Sequence, residues 1–215
     1  MKCRNHSLAF FTMCLLATAA FTGGCATTGM QRSEKASNSM QEVDTEIRKI
    51  IVQIDATAAS LDAVVSPGQP DLKKSFDTYS DNVSKLDKEG EKVIKRLDEM
   101  KVNSKEYFAE WEKQGEAYTN PRIRELSEER RNKLADIYAQ VPAASSGVKE
   151  SYLAYLIDLK EIQGYLSNDL TPSGVESITP TAQKSVQDLD NLKASLRPVI
   201  YALDEIKAEL YTEKK

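Results

Sequence analysis

Histidine is almost missing from this 215-residue chain, His6 being the sole example, and cysteine is scarce, with Cys3 and Cys14 both upstream of Cys25. From Cys25 onward there is no histidine and no second cysteine. Disulfides are therefore excluded from that part, and packing alone must hold it together. Serine–histidine arrangements and zinc or haem sites that need His are excluded with them. The di-iron sites of ferritin-like bundles require Glu-x-x-His pairs, so that helical chemistry fails as well. We expect no metal and no cofactor. No apolar run is long enough to span a bilayer either; the stretch from Leu8 to Phe21 falls short.

That short stretch has another reading. It follows a small basic region, Lys2 and Arg4, and ends in Phe21-Thr22-Gly23-Gly24-Cys25. A basic start, a brief apolar segment and small residues before a break form a cleaved export signal. Gly23-Gly24-Cys25 resembles the processing site of a bacterial lipoprotein, with Thr22 standing where Leu is usual. The resemblance implies a signal over residues 1–24 and a mature protein starting at an acylated Cys25. Ala26 lacks the Asp associated with inner-membrane retention, so the expected location is the periplasmic face of the outer membrane in preference to the inner.

Charge excludes further partners. Without Lys2 and Arg4, the segment from Cys25 onward holds 27 basic and 33 acidic residues, a net charge of −6. An acidic chain is a poor nucleic-acid binder. Its Lys and Arg are scattered among Asp and Glu, and no basic run is long enough to grip anionic lipid. Membrane attachment therefore rests on the acyl chains at Cys25.

Helical periodicity fills the remainder, and no strand-like alternation competes with it. Apolar residues recur in steps of three and four through Met40, Val43, Ile47, Ile50, Ile54, Ala58, Leu61 and Val65. Ser66 to Pro70 ends this helix, with Pro70 suited to the first position of the next. The second stripe runs Leu72, Phe76, Tyr79, Val83, Leu86, Gly90, Val93, Leu97 and Met100, then through Ser104, Tyr107 and Trp111 to Tyr118. Thr119-Asn120-Pro121 supplies a cap and a helix-starting proline, so the next helix doubles back at once. Its stripe passes Ile123, Leu126, Leu134, Ile137 or Tyr138, and Val141, then resumes from Val148 to Leu166. Since the spacing is kept across Pro142 to Gly147, one kinked helix is expected there. Asn168 to Pro180 reads as the longest connection, holding at most a short turn, and a last helix carries Ala182, Val186, Leu189, Leu192, Leu196, Ile200, Leu203, Ile206 and Leu210. Residues 25–38, rich in Thr, Ser and Gly, read as an acylated flexible tether, leaving residues 39–215 as a single domain.

The expected fold is all-α, an elongated antiparallel four-helix bundle with coiled-coil-like seams. Its four seams either close within one chain or are shared between two as a homo-oligomer. Gly90 occupies a seam position, where it either admits a bulky partner or is merely tolerated. Helices two and three, at about 48 residues, reach roughly 70 Å against about 45 Å for the others, so roughly 25 Å of the longer pair should project towards the tether. That projection holds the candidate partner-contact residues Trp111, Tyr118, Arg122 and Arg124.

Two readings compete for the aromatic run Tyr107-Phe108-Ala109-Glu110-Trp111. Trp, Tyr and Arg dominate protein interfaces, which makes it a recognition patch; its seam positions make it bundle filling, and this second reading carries more weight. The carboxylates Glu106, Glu110, Glu112 and Glu116 would serve a cell-wall glycan hydrolase only if two faced each other across a cleft. Dispersed along one helix they read as solvated surface. Tyr152 and Tyr155 read as seam residues with hydroxyls at the rim.

Phe108-x-Glu110-Trp111-Glu112, Tyr118-Thr119-Asn120, Ile123-Arg124, Ser127 and Lys133-Leu134 together resemble a family of uncharacterised bacterial envelope lipoproteins built around that hairpin run. Asn168-Asp169-Leu170 corresponds to a polar junction there, and Lys160-Glu161 stands where a Lys-His pair is expected. The resemblance implies location and a helical fold but brings no activity. The expected role is a non-enzymatic scaffold or adaptor that contacts an envelope protein; an apolar-ligand or lipid-binding helical module is the alternative.

Overall fold

The structure, a computed structural model, describes residues 29–211, and all of their regular structure is α-helical. Five helices follow one another: α1 (Gly29–Val65), α2 (Leu72–Gly115), α3 (Pro121–Ala144), α4 (Val148–Asn168) and α5 (Pro172–Tyr211). Helix α1 packs on α2 and α5, and so do α3 and α4, which share no long-range contact with each other. Segments α3 and α4 thus lie end to end in one position of a four-membered bundle, diagonal to α1. Cross-helix pairs fix the up-down alternation: Arg96 with Glu42 and Lys35 with Glu106 between α1 and α2, Lys193 with Asp55 and Lys207 with Asp44 between α1 and α5.

The apolar stripes form the core. Met40, Val43, Ile47, Ile50, Ile54 and Leu61 of α1 meet Tyr79, Val83, Leu86 and Val93 of α2, Leu159 and Leu166 of α4, and Leu189, Leu196, Leu203 and Ile206 of α5. Register between α1 and α2 is set by a polar cluster inside this apolar seam. Gln53 donates to the Asn82 carbonyl at 3.1 Å, Asn82 donates to the Ala56 carbonyl at 3.3 Å, and Thr57 is fully buried beside them. Sliding either helix by a turn would break both inter-helix bonds, each worth about 0.5–1.5 kcal/mol between part-buried groups.

Gly90 admits a bulky partner. Tyr152 of α4 lies directly over it, and a Cβ at position 90 would overlap the tyrosine ring. The gap lets the Tyr152 hydroxyl reach α2 and donate to the Leu86 carbonyl at 2.9 Å. In the same interface the Tyr79 hydroxyl donates to the Leu159 carbonyl at 2.7 Å. The hydroxyls of Tyr152 and Tyr155 thus lie inside the bundle, not at its rim, and burial pushes the pKa of Tyr79, Tyr152 and Tyr155 well above the ordinary phenol value.

Five boundaries differ from the sequence reading, one being the end of α2, which stops at Gly115 short of Tyr118. Helix α1 begins at Gly29, so residues 29–38, read as tether, are helical, with Ala36 and Ser39 buried. Pro70 lies outside α2; Asp71 caps that helix by accepting from the Lys74 amide at 2.9 Å. The helix expected to run on from Pro142 is instead broken just beyond it. Helix α3 passes through Pro142 and stops at Ala144, because Gly147 adopts a left-handed φ of 82° and α4 starts afresh after it. Helix α5 starts at Pro172 and continues through both Pro180 and Pro198. Thr171 opens it, its hydroxyl accepting from the Gly174 amide at 3.1 Å, so the long connection reduces to Asp169 to Thr171.

Candidate functional site

The turn between α2 and α3 is built by local chemistry. Glu116 and Ala117 close the last turn of α2 through amides donated to the Glu112 and Gln114 carbonyls, and Asn120 caps α3 by accepting from the Arg122 amide at 2.9 Å. Pro121 follows as the first helical residue. Arg124 reaches back across the turn and donates to the Tyr118 carbonyl at 2.7 Å. Arg122 pairs with Glu125 at 2.6 Å on the exposed face of α3. Of the two basic candidates, then, Arg124 shapes the turn and Arg122 decorates it.

Behind the turn the aromatic residues form one packed group. The Tyr107 ring lies 5.0 Å from that of Phe108 and 5.5 Å from that of Trp111, and Phe108 meets Tyr138 of α3 edge-on at 5.2 Å. Trp111 is half-buried, and its Nε1 donates to the Ser127 hydroxyl at 2.9 Å, pinning α2 to α3. Burial raises the Tyr107 phenol, with a bond to Ser33 of α1 and the charges of Arg130 and Arg32 acting in the opposite direction. The seam reading holds for Tyr107, which packs against the core, and Phe108, off the stripe, packs there as well.

Ile123 and Leu126, assigned above to the stripe that packs the bundle, are exposed instead, each at 48%. Tyr118 is 39% exposed and Met30, in the first turn of α1, 73%. The reason lies in where the neighbouring helices end. Glu209, near the end of α5, pairs with Arg130 and Lys133, so α5 covers α3 only to about that level. Lys35 pairs with Glu106 at 3.3 Å, which puts Gly29 beside about Glu112. Beyond these points, among the described residues, α2 and α3 have only each other, and α3 extends about 13 Å past Arg130. This overhang is about half the length expected, because α1 and α5 are longer than their stripes indicated. Ile123 and Leu126 keep seam spacing where none of the described helices is left to face them.

The remaining candidates divide cleanly. Cys25 lies outside the described residues. Glu106, Glu110 and Glu112 engage Lys35, Lys113 and Arg131 on the surface, and Glu116 is exposed. Lys160 pairs with Asp87 of α2 at 2.7 Å, while Glu161 is exposed. The Asn168-Asp169-Leu170 junction joins α4 to α5, with Asp169 accepting from the Thr171 hydroxyl at 2.7 Å. At the opposite end of the molecule, a cleft of about 560 Å³ opens between the α1–α2 turn and the start of α5, lined by Val64, Val65, Leu72, Pro172, Val175 and Pro180 among others. Among the described residues no helix is long and apolar enough to cross a membrane.

The family described as "Protein of unknown function (DUF2959)" matches residues 27–210, nearly the whole described bundle. No curated protein and no solved structure matches the chain.

Proposed function

Because the chain belongs to this family of unknown function, membership supplies relatives without an activity, and we propose a role from the molecule itself. The protein is a lipid-anchored scaffold or adaptor of the bacterial envelope, non-enzymatic, facing the periplasm, with the outer membrane preferred for want of an Asp at Ala26. The observation that carries this reading is the closeness of anchor and rod. Only residues 26–28 separate Cys25 from the first residue of α1. Acylation at Cys25 would therefore hold a long helical bundle against the membrane with little slack and present its sides and far end to other envelope proteins. Two or more acyl chains suffice for stable attachment.

Replacement of Cys25 by serine tests the anchor, and crosslinking in intact cells tests the role. The expected outcomes are that the wild type carries acyl chains at an N-terminal Cys25 and partitions with detergent, that Cys25→Ser does neither, and that wild-type crosslinks concentrate on a small set of envelope proteins. A wild-type N-terminus lying elsewhere and unacylated would end the lipoprotein reading. A protein with no reproducible crosslinks would end the adaptor reading.

The cleft at the far end favours a second reading, an apolar-ligand module. Its walls are mostly aliphatic, and its volume lies within the range of small-molecule sites. A stoichiometric ligand released on organic extraction, identified by mass spectrometry, would support it over the scaffold.

A further inference from the structure

We propose that the α2–α3 tip and the first turn of α1 are seated together in the head-group region of a lipid bilayer. The proposal deepens the anchored reading and rests on it for the identity of the occupant.

The argument begins with position. Gly29 stands beside about Glu112, so the chain leaving α1 towards Cys25 departs next to the overhanging hairpin. From Gly29 back to Cys25 the chain spans at most about 14 Å when fully extended. The hairpin itself projects only a few residues beyond Gly29, through Gly115 and the turn to Asn120. A Cys25 held in lipid therefore brings the bilayer to the level of Tyr118 and Pro121. The remaining gap is too small for a folded protein to stand between the tip and the bilayer, which selects lipid over a protein as occupant.

Chemistry agrees with position. Met30, Tyr118, Ile123 and Leu126 are exposed at this one end. Tyrosine suits the membrane–water boundary, having an apolar ring and a polar hydroxyl. Arg122, on the exposed face and paired with Glu125, and Arg124, held to the Tyr118 carbonyl, flank the apolar groups with long stems that lie along the apolar surface with their charged heads at its polar edge. The contact is shallow: Leu126 is five residues into α3, about 8 Å from its start. It adds orientation to an attachment the acyl chains already supply.

The test uses the full-length acylated protein in phosphatidylethanolamine/phosphatidylglycerol vesicles whose chains are brominated near the head groups. The probe is a Trp111→Phe/Tyr118→Trp chain, which moves the sole tryptophan to the exposed tip. Seating predicts strong quenching by brominated lipid, most of it lost on adding Ile123→Asp/Leu126→Asp and unchanged on adding Val52→Asp, a still more exposed site near the middle of α1. Circular dichroism confirms that each chain is folded. Protein that floats with the vesicles while its tryptophan stays unquenched would overturn the proposal, as would quenching that survives the tip substitutions. A tryptophan shielded from both brominated lipid and aqueous acrylamide in native envelopes would place a protein at the tip and also overturn it. Mass spectrometry of Cys25 decides the anchor separately: if no acyl chain is found there, the anchored reading falls, and quenching of the unacylated chain by added vesicles still decides the tip.

Discussion

Gly90 shows how one side chain's absence can be structural. In an open helix, replacing glycine by alanine stabilises by about 1 kcal/mol through helix propensity. Here the methyl group would enter the Tyr152 ring and push its hydroxyl off the Leu86 carbonyl. Overpacking of this kind costs about 1–3 kcal/mol. Gly90→Ala is thus expected to lower stability in urea unfolding, and the same change in a Tyr152→Ala chain to raise it. A Gly90→Ala protein more stable than wild type would show that Tyr152 does not occupy the gap. The sequence carried half of this. A glycine on an apolar stripe left a close approach and mere tolerance equally open, and nothing local identified Tyr152 as the group that approaches. Ile123 and Leu126 illustrate the converse, since periodicity marks the face a helix would bury and is silent on whether another helix reaches that far.

At the scale of elements, the long stripes were legible because α2 and α5 repeat large aliphatic residues with little interruption. The first turns of α1 were not. Its seam there is made of small residues, Ala36 and Ser39, which read as linker composition although both are buried. Helix α5 carries the same Thr-Pro start signature twice, at Thr171-Pro172 and Thr179-Pro180. The first prevails because Val175 is buried and Ile178 packs on the core, so extending the helix buries apolar surface that a loop would leave in water. The junction after α3 offers a test of local cause. Pro142 sits inside a helix that continues past it, whereas Gly147 holds the left-handed φ that separates α3 from α4. Gly147→Ala should destabilise the protein by about 1–2 kcal/mol, and Pro142→Ala should be neutral or stabilising, both read from chemical denaturation. The reverse order would assign the break to the proline.

Across the whole molecule, one interface carries a pH dependence. Tyr79 and Tyr152 lie between α2 and α4, Tyr155 lies on α4 beside Tyr79 and Asp188 of α5, and burial holds all three phenols neutral beyond the pH at which a free tyrosine ionises, near 10. Their folded pKa values are raised, so the stability they confer is fully present below about pH 10. It is lost as the pH rises further, because the unfolded chain releases these protons first. Alkaline unfolding should therefore begin above that value, with the tyrosinate absorbance of these three residues and loss of helical circular dichroism rising together. In a Tyr79→Phe/Tyr152→Phe chain the transition should move to higher pH. Tyrosinate signal from these residues well before unfolding would mean that the α2–α4 interface is open to water.

Two of the contacts described above share a member. Helix α2 is fixed lengthwise to α1 by Asn82 and its partners, and to α4 by Tyr152 over Gly90. Apolar seams alone resist separation well and sliding poorly, since one leucine can replace another a turn further on. Two keyed joints on the same helix remove that freedom on both of its flanks. The bundle should behave as a strut that is stiff in shear, so that a force applied at the far cleft arrives at the hairpin tip as movement of the whole rod instead of being absorbed by helices slipping past one another.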